Sequence, residues 1–206
     1  MAQGTFNSLF PTPVYTHTAD VYELTTEEQD FFKNLEFQEN RLNHRSMDSY
    51  VLEKESMSSL RNHIDHHLQI FFRETWQPGN EVSLKITQSW VNKCYPGEAH
   101  HKHAHTNSVI SGVFYINADP ATDKIFFDNG RFDPLQIAPI DFNIWNSTSW
   151  YFPVTTGMLV LFPSHLLHFV DAVEGSNERN VRMSLSFNTF FEGTVGSEFL
   201  LSELKL

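Results

Sequence analysis

His100-His101-Lys102-His103-Ala104-His105 places four of the chain's eleven histidines in six positions, just ahead of the apolar run Ile110-Ser111-Gly112-Val113-Phe114-Tyr115. Neutral imidazole is the commonest protein ligand for iron, zinc, copper and nickel. Alternate residues of a strand share a face, so His101, His103 and His105 project together, and any two neighbours in that series suit one metal ion. A merely solvated histidine-rich loop is the alternative. The pattern on either side decides between them.

From Val82 onward the apolar period is two, with Val82, Leu84 and Ile86 alternating, and turn signals then punctuate short β-rich runs. Strands are expected near 82–94, 107–117, 124–127, 142–152, 158–162, 166–170 and 181–191. Breaks are expected at Pro96-Gly97, Asp119-Pro120, Asp128-Asn129-Gly130, Thr156-Gly157 and the polar stretch Glu174 to Asn180. Ahead of these, Phe6 to Tyr15 holds Pro11 and Pro13 and reads as an extended edge segment. Thr26-Glu27-Glu28-Gln29 is a capping-box pattern that opens a short helix. Between Leu52 and Phe72 the apolar positions Leu60, Ile64, Leu68, Phe71 and Phe72 recur at helical spacing, ending before Gln77-Pro78-Gly79. His63, His66 and His67 fall on that helix and read as surface or boundary residues. The fold class is mainly β with N-terminal helices: an antiparallel sandwich or barrel with helices packed outside one sheet.

Composition narrows the function. At 206 residues the chain fits one domain over 1–206, with supporting segments to 80, a β core over 81–192 and a tail from 193. Cys94 is the single cysteine, which excludes an intrachain disulfide and points to a reducing compartment. The N-terminus lacks a targeting pattern and no apolar run approaches the ~20 residues of a membrane span, so a cytoplasmic protein, bacterial or of an infected host cell, is expected without membrane contact. A formal charge of −11 argues against nucleic acid as a partner. It leaves a homodimer open.

Val181, Met183, Leu185 and Phe187 alternate with Arg182, Ser184, Ser186 and Asn188, so the last long strand has a greasy face and a polar one. Water is the simplest neighbour for a polar face. One arginine among small polar residues, however, makes a poor solubilising surface and a good lining for an anion pocket, since a guanidinium holds a carboxylate by two parallel hydrogen bonds. Upstream, Phe162-Pro163-Ser164-His165-Leu166-Leu167-His168-Phe169-Val170 carries two histidines three apart, which cannot share a strand face. His168 lies within the apolar run, where an unpaired imidazole is costly and a ligand role accounts for its burial; His165 follows Pro-Ser in a turn. A satisfied core histidine is the competing reading of His168.

His103-Ala104-His105, Ser111 to Tyr115, Phe162-Pro163-Ser164 with His168, and Arg182-Met183-Ser184 together resemble the iron(II)- and 2-oxoglutarate-dependent oxygenases. The similarity is greatest to a small subfamily of bacteria and phages whose members also open with a segment like Leu9 to Pro13, and it runs from about Leu9 to Phe190. The resemblance implies a double-stranded β-helix, or cupin-like jelly roll, and a dioxygenase that uses Fe(II), 2-oxoglutarate and O2 to hydroxylate an unactivated C–H bond, releasing succinate and CO2. It implies that His168 is the distal metal ligand, Arg182 the anchor of the far 2-oxoglutarate carboxylate, and Ser184 its hydroxyl partner. The family's first pair is usually His with Asp or Glu, whereas here position 105 is His. His103 and His105 are the expected pair, with His101 and His103 as the alternative register. Three neutral imidazoles leave a ferrous site at +2 rather than +1. Asn92, Tyr115 and Trp90 are candidates for lining the pocket, although packing accounts for Trp90 and Tyr115 equally well.

Two rivals stand beside this reading: a three-histidine cupin-type dioxygenase that binds its substrate without 2-oxoglutarate, and a non-enzymatic metal-binding β-domain. The substrate, a peptide side chain as in prolyl hydroxylases or a small molecule, is a matter of fold analogy. Its selection is expected in the loops Gly130 to Ile140 and Phe142 to Tyr151.

Overall fold

The two longest strands, β4 (Val82–Cys94) and β11 (Arg182–Val195), pair antiparallel through nearly their whole length and form the spine of the computed structural model, which describes residues 4–79, 81–130, 137–174 and 181–206. Around them the chain runs β1 (Tyr15–His17), α1 (Thr26–Asn34), β2 (Phe37–Glu39), β3 (His44–Ser46), two single 3₁₀ turns (Val51–Glu53 and Glu55–Met57) and α2 (Ser58–Trp76). After β4 come β5 (His100–His103), β6 (Ile110–Asn117), β7 (Lys124–Asp128), β8 (Ser149–Pro153), β9 (Leu159–Pro163) and β10 (Leu167–Val170), and β12 (Leu204–Lys205) closes the chain. The major sheet has the order β1-β9-β6-β11-β4-β3-β2, with β12 added to the end of β11; the minor sheet is β5-β10-β7-β8. All pairings within the two sheets are antiparallel.

The alternating pattern of β11 sets the layers. Leu185 and Phe187 join Phe114 of β6, Leu159 and Leu161 of β9, and Leu84 and Ile86 of β4 against Leu60, Ile64, Leu68, Phe71 and Phe72 of α2. Each such side chain contributes about 1.5–3 kcal/mol on burial, so this apolar stripe holds the helix on the outer face of the major sheet. A second cluster, with Val113, Tyr115, Val160 and Phe162 from the major sheet and Ile125 and Phe127 from the minor one, fills one part of the space between the sheets. The other part is the cleft described below. No described helix is long and apolar enough to cross a membrane.

Gly112 sits where β6 is covered most tightly: a Cβ there would lie 2.1 Å from the ring of Phe187 and 2.7 Å from Leu161. Gly112→Ala is expected to destabilise the fold by about 1–3 kcal/mol, the usual cost of overpacking. Urea unfolding checks it, and an unchanged midpoint would contradict this packing.

Several boundaries differ from expectation, each for a local reason. The cap of α1 is Thr25, not Thr26: Thr25 is extended, its hydroxyl accepts from the Glu28 amide at 3.2 Å, and the Glu28 carboxylate takes the Thr25 amide at 2.8 Å. Glu28 is buried and also accepts from the Leu60 amide, which draws the box one residue earlier. The long helix starts at Ser58, because the preceding residues are wound into 3₁₀ turns, and it runs on to Trp76 before Gln77 ends it in the left-handed region. The strand expected over 142–152 is Ser149–Pro153 only. Asn143 Oδ1 takes the Trp145 amide and Asn146 Oδ1 takes the Asn143 amide, so asparagine side chains bend this stretch into turns. The early extended segment becomes a strand only at Tyr15–His17, on the edge of the major sheet beside β9. β11 continues past 191 to Val195. Residues 175–180 of the expected polar break lie outside the described residues.

Candidate active site

β5 ends at His103, so His105 is not the third tooth of a strand as its spacing suggested. It follows in an irregular stretch, where its amide donates to the carbonyl of Ser164 at 2.9 Å. His168 on β10 stands directly across from His103 on β5. The structure thereby brings His103, His105 and His168 together, one ring nitrogen of each lying within 4.8 Å of the others. His101 is not in this group, and His165 is exposed in the turn before β10. His100 stacks on His103 with ring centroids 4.7 Å apart, made possible by the bulge between β5 and β10.

The hydrogen bonds identify the tautomers. His103 Nδ1 lies 2.7 Å from the His101 carbonyl and His168 Nδ1 lies 2.9 Å from the Leu166 carbonyl. A carbonyl only accepts, so each Nδ1 carries the proton. His105 Nδ1 lies 2.6 Å from Asn188 Oδ1, which also accepts from the Ser111 hydroxyl, so it too is the protonated nitrogen. All three Nε2 atoms therefore carry lone pairs. Those of His105 and His168 face each other at 3.3 Å with no proton between them. Two lone pairs at that separation repel unless a cation lies between, and about 3.3 Å is the spacing of two nitrogens bound at 2.0–2.1 Å to one tetrahedral ion.

A proton is a poor candidate for that cation. Burial, reinforced by His103, pushes His168 down to about 3 and His105 down to about 4, and burial also lowers His103. The sign for stability follows: below the ordinary histidine value near 6.5 the unfolded chain takes up protons that the folded chain refuses. The metal-free protein is therefore expected to lose stability progressively between about pH 6.5 and pH 3, as shown by thermal midpoints across that range. A flat profile would mean that these imidazoles are not held neutral.

The polar face of β11 continues the cleft away from the histidines. Arg182 is buried, and its guanidinium is held by Asp123 Oδ1 at 3.1 Å and by the Asp171 carbonyl at 3.2 and 3.3 Å. Beside the small polar residues expected around it, an aspartate partners the guanidinium, and Ser184 sits half-buried in the same cleft. Asn92 donates to Ser186 at 3.0 Å and leaves its own Oδ1 buried without a partner among the described residues. Reversing that amide puts the acceptor on the Ser186 hydroxyl and an N–H donor into the cleft, which suits an anion. Tyr115 is fully buried at the cleft wall, and its burial raises the phenol. Trp90 stacks on His105 with centroids 5.8 Å apart, so it both packs and orients a histidine.

Two residues of the site carried little signal in the chain. Asn188 was visible only as one polar tooth of β11, and nothing in the sequence ties it to His105, 83 positions away. Asp123 sits in the Asp119-Pro120 turn, 59 positions from Arg182. Of the loops expected to select substrate, residues 131–136 lie outside the described residues. The other loop exposes Phe142, Ile144, Trp145, Trp150 and Tyr151.

Comparison with known proteins decides the family. Residues 88–188, from β4 through β11, match the family model described as "Putative 2OG-Fe(II) oxygenase". This segment is a 2OG-Fe(II) oxygenase domain. The matched region contains the three histidines, Arg182 and Asn188. The fold agrees: the chain resembles HygX from Streptomyces hygroscopicus with nickel and 2-oxoglutarate bound (TM-score 0.60, 11% identity, 86% of this chain and 82% of that one). It also resembles an oxidoreductase of the 2OG-Fe(II) oxygenase family from Burkholderia pseudomallei (TM-score 0.56, 14%, 85% and 83%) and a Pseudomonas putida prolyl-4-hydroxylase (TM-score 0.54, 13%, 86% and 92%). The two facing sheets are thus the double-stranded β-helix of these enzymes, with the helices packed on the major sheet. No curated protein sequence matches this chain significantly.

Proposed function

We propose that this oxygenase is an Fe(II)- and 2-oxoglutarate-dependent dioxygenase that hydroxylates an unactivated C–H bond. His103, His105 and His168 hold the metal. The observation that carries the reading is the pair of unprotonated Nε2 atoms of His105 and His168 facing each other at 3.3 Å, each with its Nδ1 tied to an acceptor. Such outer hydrogen bonds fix ring orientation and raise ligand basicity. When bound, iron would supply the centre at which O2, the oxidant, is activated, with 2-oxoglutarate giving up two electrons as it becomes succinate and CO2 and the C–H bond giving up the other two; the protein supplies position, a dry cleft and charge. Arg182 and Ser184 bind the far carboxylate of 2-oxoglutarate, with Asp123 holding the guanidinium at its post. Asn92 offers an amide and Tyr115 closes the wall. His103, His105 and His168 stay neutral, so a dianionic ligand enters a site of net positive charge once the metal is present.

The substrate class is a peptide side chain, as for the prolyl-4-hydroxylase whose fold this chain shares, or a small molecule, as for HygX, which has been crystallised with hygromycin B. The exposed aromatic residues of 142–151 are the proposed selecting surface. One observation favours a second reading: Arg182 is already neutralised by Asp123, as suits a three-histidine dioxygenase that binds its substrate without 2-oxoglutarate. Anaerobic titration of the Fe(II)-loaded protein with 2-oxoglutarate separates the two. A visible charge-transfer band that disappears in Arg182→Ala and His105→Ala is the expected result. Bound iron with no band would overturn the 2-oxoglutarate reading; where the band appears, succinate release with proline-containing peptides against a small-molecule panel assigns the substrate class.

A further inference from the structure

A second group of three histidines lies on the other side of the major sheet, away from the oxygenase cleft. His17 comes from β1, and His63 and His67 from α2; one ring nitrogen of each lies within 4.8 Å of the others. His63 and His67 are four apart and so share a helix face, a spacing that chelates one ion. The ring centroids of His17 and His67 are 4.0 Å apart, those of His63 and His67 4.6 Å, and those of His17 and His63 5.7 Å. The sequence reads His63, His66 and His67 as surface or boundary residues. His66 is exposed there, but His67 is buried at 7% exposure.

Packing alone explains this arrangement poorly. The histidines lie against aromatic residues: Tyr22 covers His63 with centroids 4.8 Å apart, and Tyr15, itself packed edge-on against Phe71, borders His67. His63 Nε2 is buried with no hydrogen-bond partner among the described residues. A buried polar nitrogen left unpaired costs about 1–3 kcal/mol. His67 Nδ1, in contrast, is bonded to the Tyr15 hydroxyl at 2.7 Å. When Nδ1 donates to that oxygen, Nε2 is left unprotonated, and a metal-binding histidine is oriented by an outer partner in the same way. Burial and the neighbouring imidazoles hold His63 low and His67 down to about 4, so these two rings are neutral near pH 7.

We propose that His17, His63 and His67 form a second metal site, for a borderline divalent transition ion of the zinc type, that ties the edge strand β1 to α2. All-imidazole donor sets suit Zn²⁺, Ni²⁺ and Cu²⁺. Three protein nitrogens leave a fourth tetrahedral position for water, and half-exposed His17 gives the ion its way in. The nitrogens need to close to about 3.3 Å to bind one ion, which draws β1 towards the helix. The site is independent of the oxygenase reading, since it shares no residue with it.

The test is Zn²⁺ titration of the chelator-stripped full-length chain against a chromophoric competitor, in a His103→Gln/His105→Gln background that disables the other cluster. One equivalent per chain is expected. It is lost in the added His17→Gln or His63→Gln, retained in His66→Gln, and weakened about 10-fold in Tyr15→Phe through loss of the outer hydrogen bond. Zinc also raises the thermal midpoint of the background protein but not that of its His17→Gln form. No zinc bound by the folded background protein, zinc that persists after His17→Gln, or zinc lost with His66→Gln would each overturn the site. Should the background variant fail to fold, the wild-type chain is compared with His17→Gln alone: one equivalent fewer in the variant supports the site, and equal counts overturn it.

Discussion

His168→Ala is expected to weaken metal binding about 100-fold and to abolish 2-oxoglutarate turnover at ordinary iron concentrations. The magnitude comes from metal-site energetics: about 10–16 kcal/mol over four ligands is roughly 3 kcal/mol for one, or two decades in affinity. His168 is the member with least freedom. It is 5% exposed, paired across the strands with His103, tied at Nδ1 to the carbonyl of Leu166 just ahead of its strand, and packed on Phe162 with centroids 4.6 Å apart. Its Nε2 lone pair is thus presented without rotamer search. Equilibrium dialysis with Fe(II) or Ni(II), with circular dichroism to verify folding, measures the effect. An affinity within a few-fold of wild type would remove His168 from the metal site, and with it the facing-lone-pair argument.

The second large effect concerns the ion pair deeper in the cleft. Asp123→Asn is expected to destabilise the protein by about 3–5 kcal/mol, because it leaves the Arg182 charge buried and uncompensated. For a chain of this size that is a drop of roughly 10 °C in thermal midpoint. Both partners are almost fully buried, with side chains 4% and 7% exposed, so solvent screening offers little relief. The second carboxylate oxygen of Asp123 is committed as well, accepting the Asp119 amide at 2.9 Å. If Arg182 also binds 2-oxoglutarate, the ligand's carboxylate takes over part of the missing charge, and 2-oxoglutarate raises the midpoint of Asp123→Asn more than that of wild type. Scanning fluorimetry with and without 2-oxoglutarate reads both effects. Destabilisation without the larger ligand shift would leave the ion pair structural and favour the reading without 2-oxoglutarate.

Taken alone, the chain was informative wherever one residue's face depends on its immediate neighbours. The period of two in Val181 to Asn188 separated the helix-facing Leu185 and Phe187 from the cleft-lining Ser184 and Ser186 and from Asn188, which meets His105, because strand geometry fixes alternation whatever the strand pairs with. The apolar spacing of Leu60, Ile64, Leu68, Phe71 and Phe72 likewise identified α2 and its buried stripe. Tertiary structure decided what those faces meet. His105 lies beyond the end of β5 and is aimed by Ser164 and Asn188, so a strand alternation rule could not place it. The His103 to His168 register, the Asp123 to Arg182 pair and the meeting of His17 with His63 and His67 all join segments 46 or more residues apart. Local propensity carries no term for such distant partners. They are set by strand order and by the packing of β1 and α2 on the sheet, and these follow from the burial of the whole apolar surface at once.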